Sequence, residues 1–137
     1  MKPIRVLFVC VHNAGRSQMA EALTNFEAKA RSLPVTAESA GTVGGKSLNP
    51  MAVQAMAELG VSVEGQSPKL LTQSMADQSD RIISMGCGVD ADACPAKFLL
   101  TEDWELDDPA GQSIESVRII RDQIHEHVLA MLKEFES

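Results

Sequence analysis

The sequence predicts an α/β domain of three layers, α/β/α, around a central four-stranded parallel sheet. Three observations predict it. Short apolar runs alternate along the chain with stretches whose apolar residues recur every three or four positions. The first run, residues 4–9, is apolar with β-branched members and no polar alternation, which suits a strand covered on both faces. The chain closes on a long amphipathic stretch. Strands and helices in alternation give a parallel sheet with helices on both faces and a ligand site at the carboxyl ends of the strands.

The elements follow in order. Residues 4–9 form the first strand, and residues 17–31 form a helix with Met19, Leu23, Phe26 and Ala30 on one stripe. Residues 35–41 read as a second strand. Asn49-Pro50 opens a helix that runs to Leu59, because asparagine caps a helix and proline suits its first position; Gly60 ends it. A short helix over residues 72–77 precedes a buried strand over 81–85 and a fourth strand over 97–100. Between residues 113 and 135, Val117, Ile120, Ile124, Val128, Met131 and Leu132 mark one long helix. There are no internal repeats, linkers or low-complexity segments, so residues 1–137 form one domain, large enough to bury a core without staples.

Composition narrows the function. The 45% hydrophobic and 23% charged fractions are those of an ordinary globular protein. A net charge of -7 repels a polyanion, so nucleic acid is not an expected partner. A small oxyanion is still admissible, because it answers to the local field of its pocket. No apolar stretch reaches the roughly 18 residues that span a bilayer, and the N-terminus reads as a strand rather than a signal peptide; the expected location is the cytoplasm, with no membrane association. Three cysteines, an odd count, suit reactive thiols in a reducing compartment better than a structural framework.

The chemically loaded segment is Cys10-Val11-His12-Asn13-Ala14-Gly15-Arg16-Ser17, between the first strand and the first helix. A helix N-terminus presents unpaired N–H groups and a partial positive charge, so a loop wrapped there can hold a tetrahedral oxyanion. Arg16 adds a planar fork of donors. The same field favours thiolate over thiol, which makes Cys10 a nucleophile at neutral pH. Ser17 can donate a hydrogen bond to that thiolate, Asn13 can brace the loop, and Gly15 tolerates a tight turn. A bland alternative makes Cys10 a small buried hydrophobe and Ser17 a helix cap. The placement of Cys10 and Arg16 between a buried strand and a helix favours the functional reading.

Cys87 and Cys94 stand seven positions apart, directly after the strand over 81–85. Gly86, Gly88 and Pro95 supply breakpoints, so this segment could bring its sulfurs together. A chain of three thiols can pass one oxidation step outward by exchange, which phosphoryl transfer does not need. No Cys-x-x-Cys or His-x-x-x-His pair is present, and no metal site is expected. His125 and His127 point to different sides of their helix and read as solvated.

The Cys-(five residues)-Arg-Ser loop resembles that of two families with a common fold, the low-molecular-weight protein tyrosine phosphatases and the thioredoxin-coupled arsenate reductases. The run Ser17-Gln18-Met19-Ala20-Glu21 is similar to the reductases, whereas the phosphatases usually place proline after the serine. The resemblance extends over the whole chain through Ser39-Ala40-Gly41, Asn49-Pro50, the cysteine pair and Asp107-Asp108-Pro109-Ala110-Gly111. It implies a low-molecular-weight phosphatase-like fold and reduction of arsenate to arsenite. Cys10 would be the nucleophile, Arg16 and the amides of Val11 through Ser17 the oxyanion site, and Asp108 the general acid, with Asp107 as a second candidate. Cys87 would then attack Cys10 and Cys94 attack Cys87, leaving a Cys87 to Cys94 disulfide for thioredoxin to reduce. Glutaredoxin or another thiol system stays open as the donor, and no bound cofactor is implied.

Some reductases of this kind hold a structural potassium ion through Asn, Glu, Ser and Asp. Asn13, Glu21 and Ser39 match, but the fourth position falls at Lys69, whose ammonium is expected to take the place of the ion. Phosphate and sulfate should bind where arsenate does, and a monomer is expected. Two alternatives stand beside this reading. A phosphatase would need only Cys10, Arg16 and Asp108, although this chain has no tyrosine and little aromatic surface for an aryl phosphate. A redox sensor or oxyanion binder would use the thiols without turnover.

Overall fold

The computed structural model describes residues 3–43, 47–85, 102–106 and 111–136. Within them, four parallel strands alternate with helices: β1 (Ile4–Cys10), α1 (Arg16–Ala30), β2 (Val35–Gly41), α2 (Pro50–Glu58), α3 (Gln73–Asp77), β3 (Arg81–Ser84), β4 (Glu102–Asp103) and α4 (Ile114–Phe135). The sheet order is β2-β1-β3-β4, with all pairings parallel. The expected strand over residues 97–100 lies outside the described residues; β4 at Glu102–Asp103 is the fourth strand seen.

The lack of alternation in β1 has its expected cause. Val6, Phe8 and Cys10 join a core with Met19, Leu23, Met56, Ile124, Val128 and Leu132 from α1, α2 and α4. Leu7 and Val9 face a second cluster with Ala40, Leu71, Ala76 and Ile82, beside α3. The central strand is thus sandwiched between two helical layers, and its apolar area is removed from water on both sides.

The helix starts follow local chemistry. The Asn49 side chain accepts from the Met51 amide at 2.9 Å with Pro50 at the first position. Thr72 accepts from Met75 and Ser113 from Ser116 at their helix starts. Gly60 has φ of 73°, as a residue just past a helix end often does. Only α1, among the described helices, has no side-chain cap: its cap position is Gly15.

Two sequence expectations need correction. The stripe on α1 is buried only in its first half: Met19 and Leu23 are fully buried, whereas Phe26 is 47% exposed and Ala30 is also exposed. The helix is instead buried on all sides from Arg16 to Thr24, where small residues such as Ala20, Ala22 and Thr24 allow close packing, and its last turn carries less cover. Nor are the histidines of α4 merely solvated. His125 Nε2 lies 2.8 Å from Glu27 of α1, and His127 stacks on Trp104 with ring centroids 4.8 Å apart. Burial pushes the Glu27 carboxyl up, but hydrogen bonds from His125 and Arg31 outweigh it and hold the group below the usual carboxylate range. No helix among the described residues is long and apolar enough to cross a membrane.

Candidate active site

The strand order reverses at β1, since the chain leaves it first toward β2 and later crosses to β3 on its other side. A crevice outside the carboxyl ends of the strands forms at such a point. The loop of residues 10–17 occupies this place, between the end of β1 and the uncapped start of α1. Helix amides left without a side-chain cap are available to an anion.

The neighbouring strand fixes how the loop leaves the sheet. Cys10 pairs with Gly41 in register, and the pairing continues outward as the Thr42 and Val43 amides donate to the carbonyls of Cys10 and Val11 at 3.0 and 2.9 Å. A Cβ on Gly41 would stand 2.6 Å from the Val11 carbonyl oxygen and 3.1 Å from the His12 carbonyl carbon. Glycine is therefore required by a close backbone approach. Gly41→Ala is expected to lower stability by about 1–3 kcal/mol, measured as a fall in the urea midpoint at unchanged slope. Across the loop, the Asn49 amide donates to the Ala14 carbonyl at 2.8 Å, so the start of α2 holds the outer side.

Arg16 is 5% exposed, and its guanidinium divides its donors. Nη1 donates to the backbone carbonyls of Met85 at 2.9 Å and Leu106 at 2.7 Å. Nη2 lies 3.7 Å from Cys10 Sγ, while Nε is buried with no partner among the described residues. The edge formed by Nε and Nη2 is the one that grips an oxyanion bidentately. One edge is thus committed to the protein, and the other faces the sulfur.

Asn13 is fully buried with φ of 56°. Its Nδ2 donates to Ser17 Oγ at 2.8 Å, which occupies a lone pair of that hydroxyl and leaves its proton to be donated elsewhere. Its Oδ1 accepts from the Lys69 amide at 2.9 Å and from Gln18 Nε2 at 3.0 Å. Close by, Ser39 Oγ donates to Glu21 Oε1 at 2.7 Å. Burial raises the Glu21 carboxyl above its ordinary range, although the Ser39 hydrogen bond and the Lys69 charge pull it down. The structure thus gathers Cys10, Asn13, Arg16 and Ser17 at one point, and Glu21, Ser39 and Lys69 near it. His12 is exposed on the loop. Cys87, Cys94, Asp107 and Asp108 lie outside the described residues.

Sequence reasoning passed over Gln18, which braces Asn13, Gln66, which braces Gln18, and the carbonyls of Met85 and Leu106, which anchor Arg16. Gln18 had a signal in its place directly after Arg16-Ser17. Gln66 and the two carbonyls had none, because they reach the loop only through the folded chain.

Residues 5–137 match the model of the low molecular weight phosphotyrosine protein phosphatase family. This chain belongs to that family. One relative is a glutaredoxin arsenate reductase from Synechocystis, 36% identical over 125 residues, which cover 90% of this chain and 92% of the relative. A solved arsenate reductase in its phosphate-binding state superposes with a TM-score of 0.82 at 33% identity, over 97% of this chain and 99% of that one. A thioredoxin-dependent arsenate reductase from Corynebacterium glutamicum gives a TM-score of 0.76 at 34% identity, over 98% of this chain and 63% of that one. The resemblance drawn from the loop motif therefore holds at the level of the phosphatase family, and the chain is similar to arsenate reductases.

Proposed function

We propose that this chain reduces arsenate to arsenite in the cytoplasm, as a monomer, through Cys10, Cys87 and Cys94. The observation that carries the reading is the divided Arg16 fork: Nη1 is bound to two carbonyls, and the edge of Nε and Nη2 is buried beside the Cys10 sulfur. A thiolate, an anion-gripping edge and an uncapped helix start share one buried place, which suits attack on a tetrahedral oxyanion held in the loop.

In this mechanism the Cys10 thiolate forms a bond to arsenic, and one arsenate oxygen leaves as water, protonated by Asp108. The Cys87 thiolate then attacks the Cys10 sulfur. The sulfur to arsenic bond breaks with its electron pair going to arsenic, so As(V) becomes As(III) and arsenite departs from a Cys10 to Cys87 disulfide. Cys94 attacks Cys87, releasing Cys10 as thiolate. A dithiol donor, thioredoxin, reduces the resulting Cys87 to Cys94 disulfide and is itself oxidised. Arg16 supports the sequence of steps, since its carbonyl anchors are Met85 and Leu106, the residues immediately before the segments that carry Cys87 and Asp108.

No metal enters this scheme. The ammonium of Lys69 provides beside Glu21 the positive charge that potassium provides in some arsenate reductases, and the downward pull of Lys69 on Glu21 agrees with that role.

The test is arsenate-dependent NADPH oxidation with thioredoxin and its reductase, beside a glutathione and glutaredoxin arm and an aryl phosphate hydrolysis arm. Wild type is expected to turn over arsenate with thioredoxin, while Cys87→Ser and Cys94→Ser stall after at most one turnover. Sustained turnover in either variant would sink the relay. Phosphate ester hydrolysis without arsenate turnover would favour a phosphatase, and turnover in the glutaredoxin arm alone would reassign the donor.

A further inference from the structure

The hydrogen bonds around Asn13 converge on a residue to which the reaction above gives no part. Asparagine enters the left-handed region at less cost than other non-glycine residues, but the φ of 56° at Asn13 still carries a cost that hydrogen bonds to its neighbours can offset. In a loop, a residue of this conformation lets consecutive N–H groups point into one concavity, the arrangement that binds an anion. The Gln18 carboxamide, on a side chain 2% exposed, grips that residue twice. Nε2 donates to the Asn13 carbonyl at 2.9 Å and to Asn13 Oδ1 at 3.0 Å.

The grip extends outward. The same Nε2 lies 3.0 Å from the Ser67 carbonyl, so its two protons are shared among three acceptors, and Gln66 Nε2 donates back to Gln18 Oε1 at 2.7 Å and to the Gln18 carbonyl at 3.1 Å. Two residues further along, the Lys69 amide closes the circuit on Asn13 Oδ1 at 2.9 Å. Residues 66–69 thus touch the oxyanion loop through one buried side chain and one backbone amide.

We infer that Gln18 is a positioning residue: its carboxamide holds Asn13 in the conformation that shapes the oxyanion loop, and Gln66 holds the carboxamide. This rests on residues 10–17 being an oxyanion site. Methionine matches glutamine in length and bulk but donates nothing, so Gln18→Met removes the grip and keeps the packing. In series, Gln66 acts only through Gln18.

The experiment titrates inorganic phosphate into the reduced full chain by calorimetry and measures arsenate kinetics and thermal unfolding alongside. Gln18→Met should bind phosphate about tenfold more weakly, the loss expected when a buried hydrogen bond that shapes the site is removed. Its KM for arsenate should rise by about the same factor with kcat changed less than about threefold, while the unfolding midpoint falls by about a few degrees because the buried Asn13 carbonyl loses its donor. Gln66→Ala should weaken phosphate binding about threefold, and the double variant should be no weaker than Gln18→Met alone. Wild-type phosphate affinity in Gln18→Met, or a fall in melting temperature with affinity unchanged, overturns the inference. Should Gln18→Met not fold, Gln66→Ala decides, since unchanged affinity there overturns it equally. A wild type that binds no phosphate and turns over no arsenate removes the oxyanion site itself, and this inference with it.

Discussion

Cys10→Ser is expected to lower arsenate turnover by about 10⁴-fold or more, to the limit of the coupled NADPH assay, because the substitution replaces the proposed nucleophile. A serine hydroxyl is not ionised at neutral pH even beside a guanidinium and a helix start, whereas a thiol in that field is readily thiolate. Cys10 is 6% exposed and packs with Phe8 and Met19 in the main core, so the smaller oxygen should be accommodated with little change in the fold. Phosphate affinity is the informative second measurement. In the proposed reading the anion is gripped by Arg16 and the loop amides, so calorimetry should give a dissociation constant within about threefold of wild type. Loss of chemistry with binding retained would identify Cys10 as the attacking group. Retained turnover would contradict the proposal outright.

Arg16→Lys is expected to lower kcat/KM for arsenate by about 10²- to 10³-fold, the scale for losing a preorganised donor pair at developing charge. Lysine keeps the positive charge, so the loss would report geometry. An ammonium is a point donor on a flexible stem, and it cannot reach both the Met85 and Leu106 carbonyls while presenting a planar edge to an anion beside Cys10. The carbonyls are a second consequence. Left without their donor in a buried place, they should reduce stability by about 1–3 kcal/mol, measured by urea unfolding of the reduced protein. Activity within tenfold of wild type would show that charge alone suffices, and would remove the observation on which the functional reading rests.

The two substitutions differ in what the sequence could disclose about them. Cys10 and Arg16 are adjacent in space because they flank one short loop, so the strand before it and the helix after it already dictate their meeting. The two carbonyls on Arg16 come from positions 69 and 90 residues away, and no periodicity marks them. Gly41 is of the second kind too. It reads as the last residue of a strand, and only the register that sets it opposite Cys10 shows why a side chain cannot be there.

Where local chemistry governs, the sequence was sufficient. Asn49, Thr72 and Ser113 cap helices because their oxygens meet amides two or three residues on, a distance the chain itself sets. The unbroken apolar run of β1 foretold burial on both faces, and the placement of residues 10–17 between a strand and a helix was legible in advance. Where contact depends on which elements become neighbours, sequence fell short. Phe26 shares a helical stripe with Met19 and Leu23 yet lies 47% exposed. His125 and His127 found Glu27 and Trp104 because α4 packs against α1 and lies near β4. Gln66 met Gln18 across 48 positions. These are matters of strand order and layer packing, set by burial of the whole core at once, and they became visible only when the sheet took the order β2-β1-β3-β4.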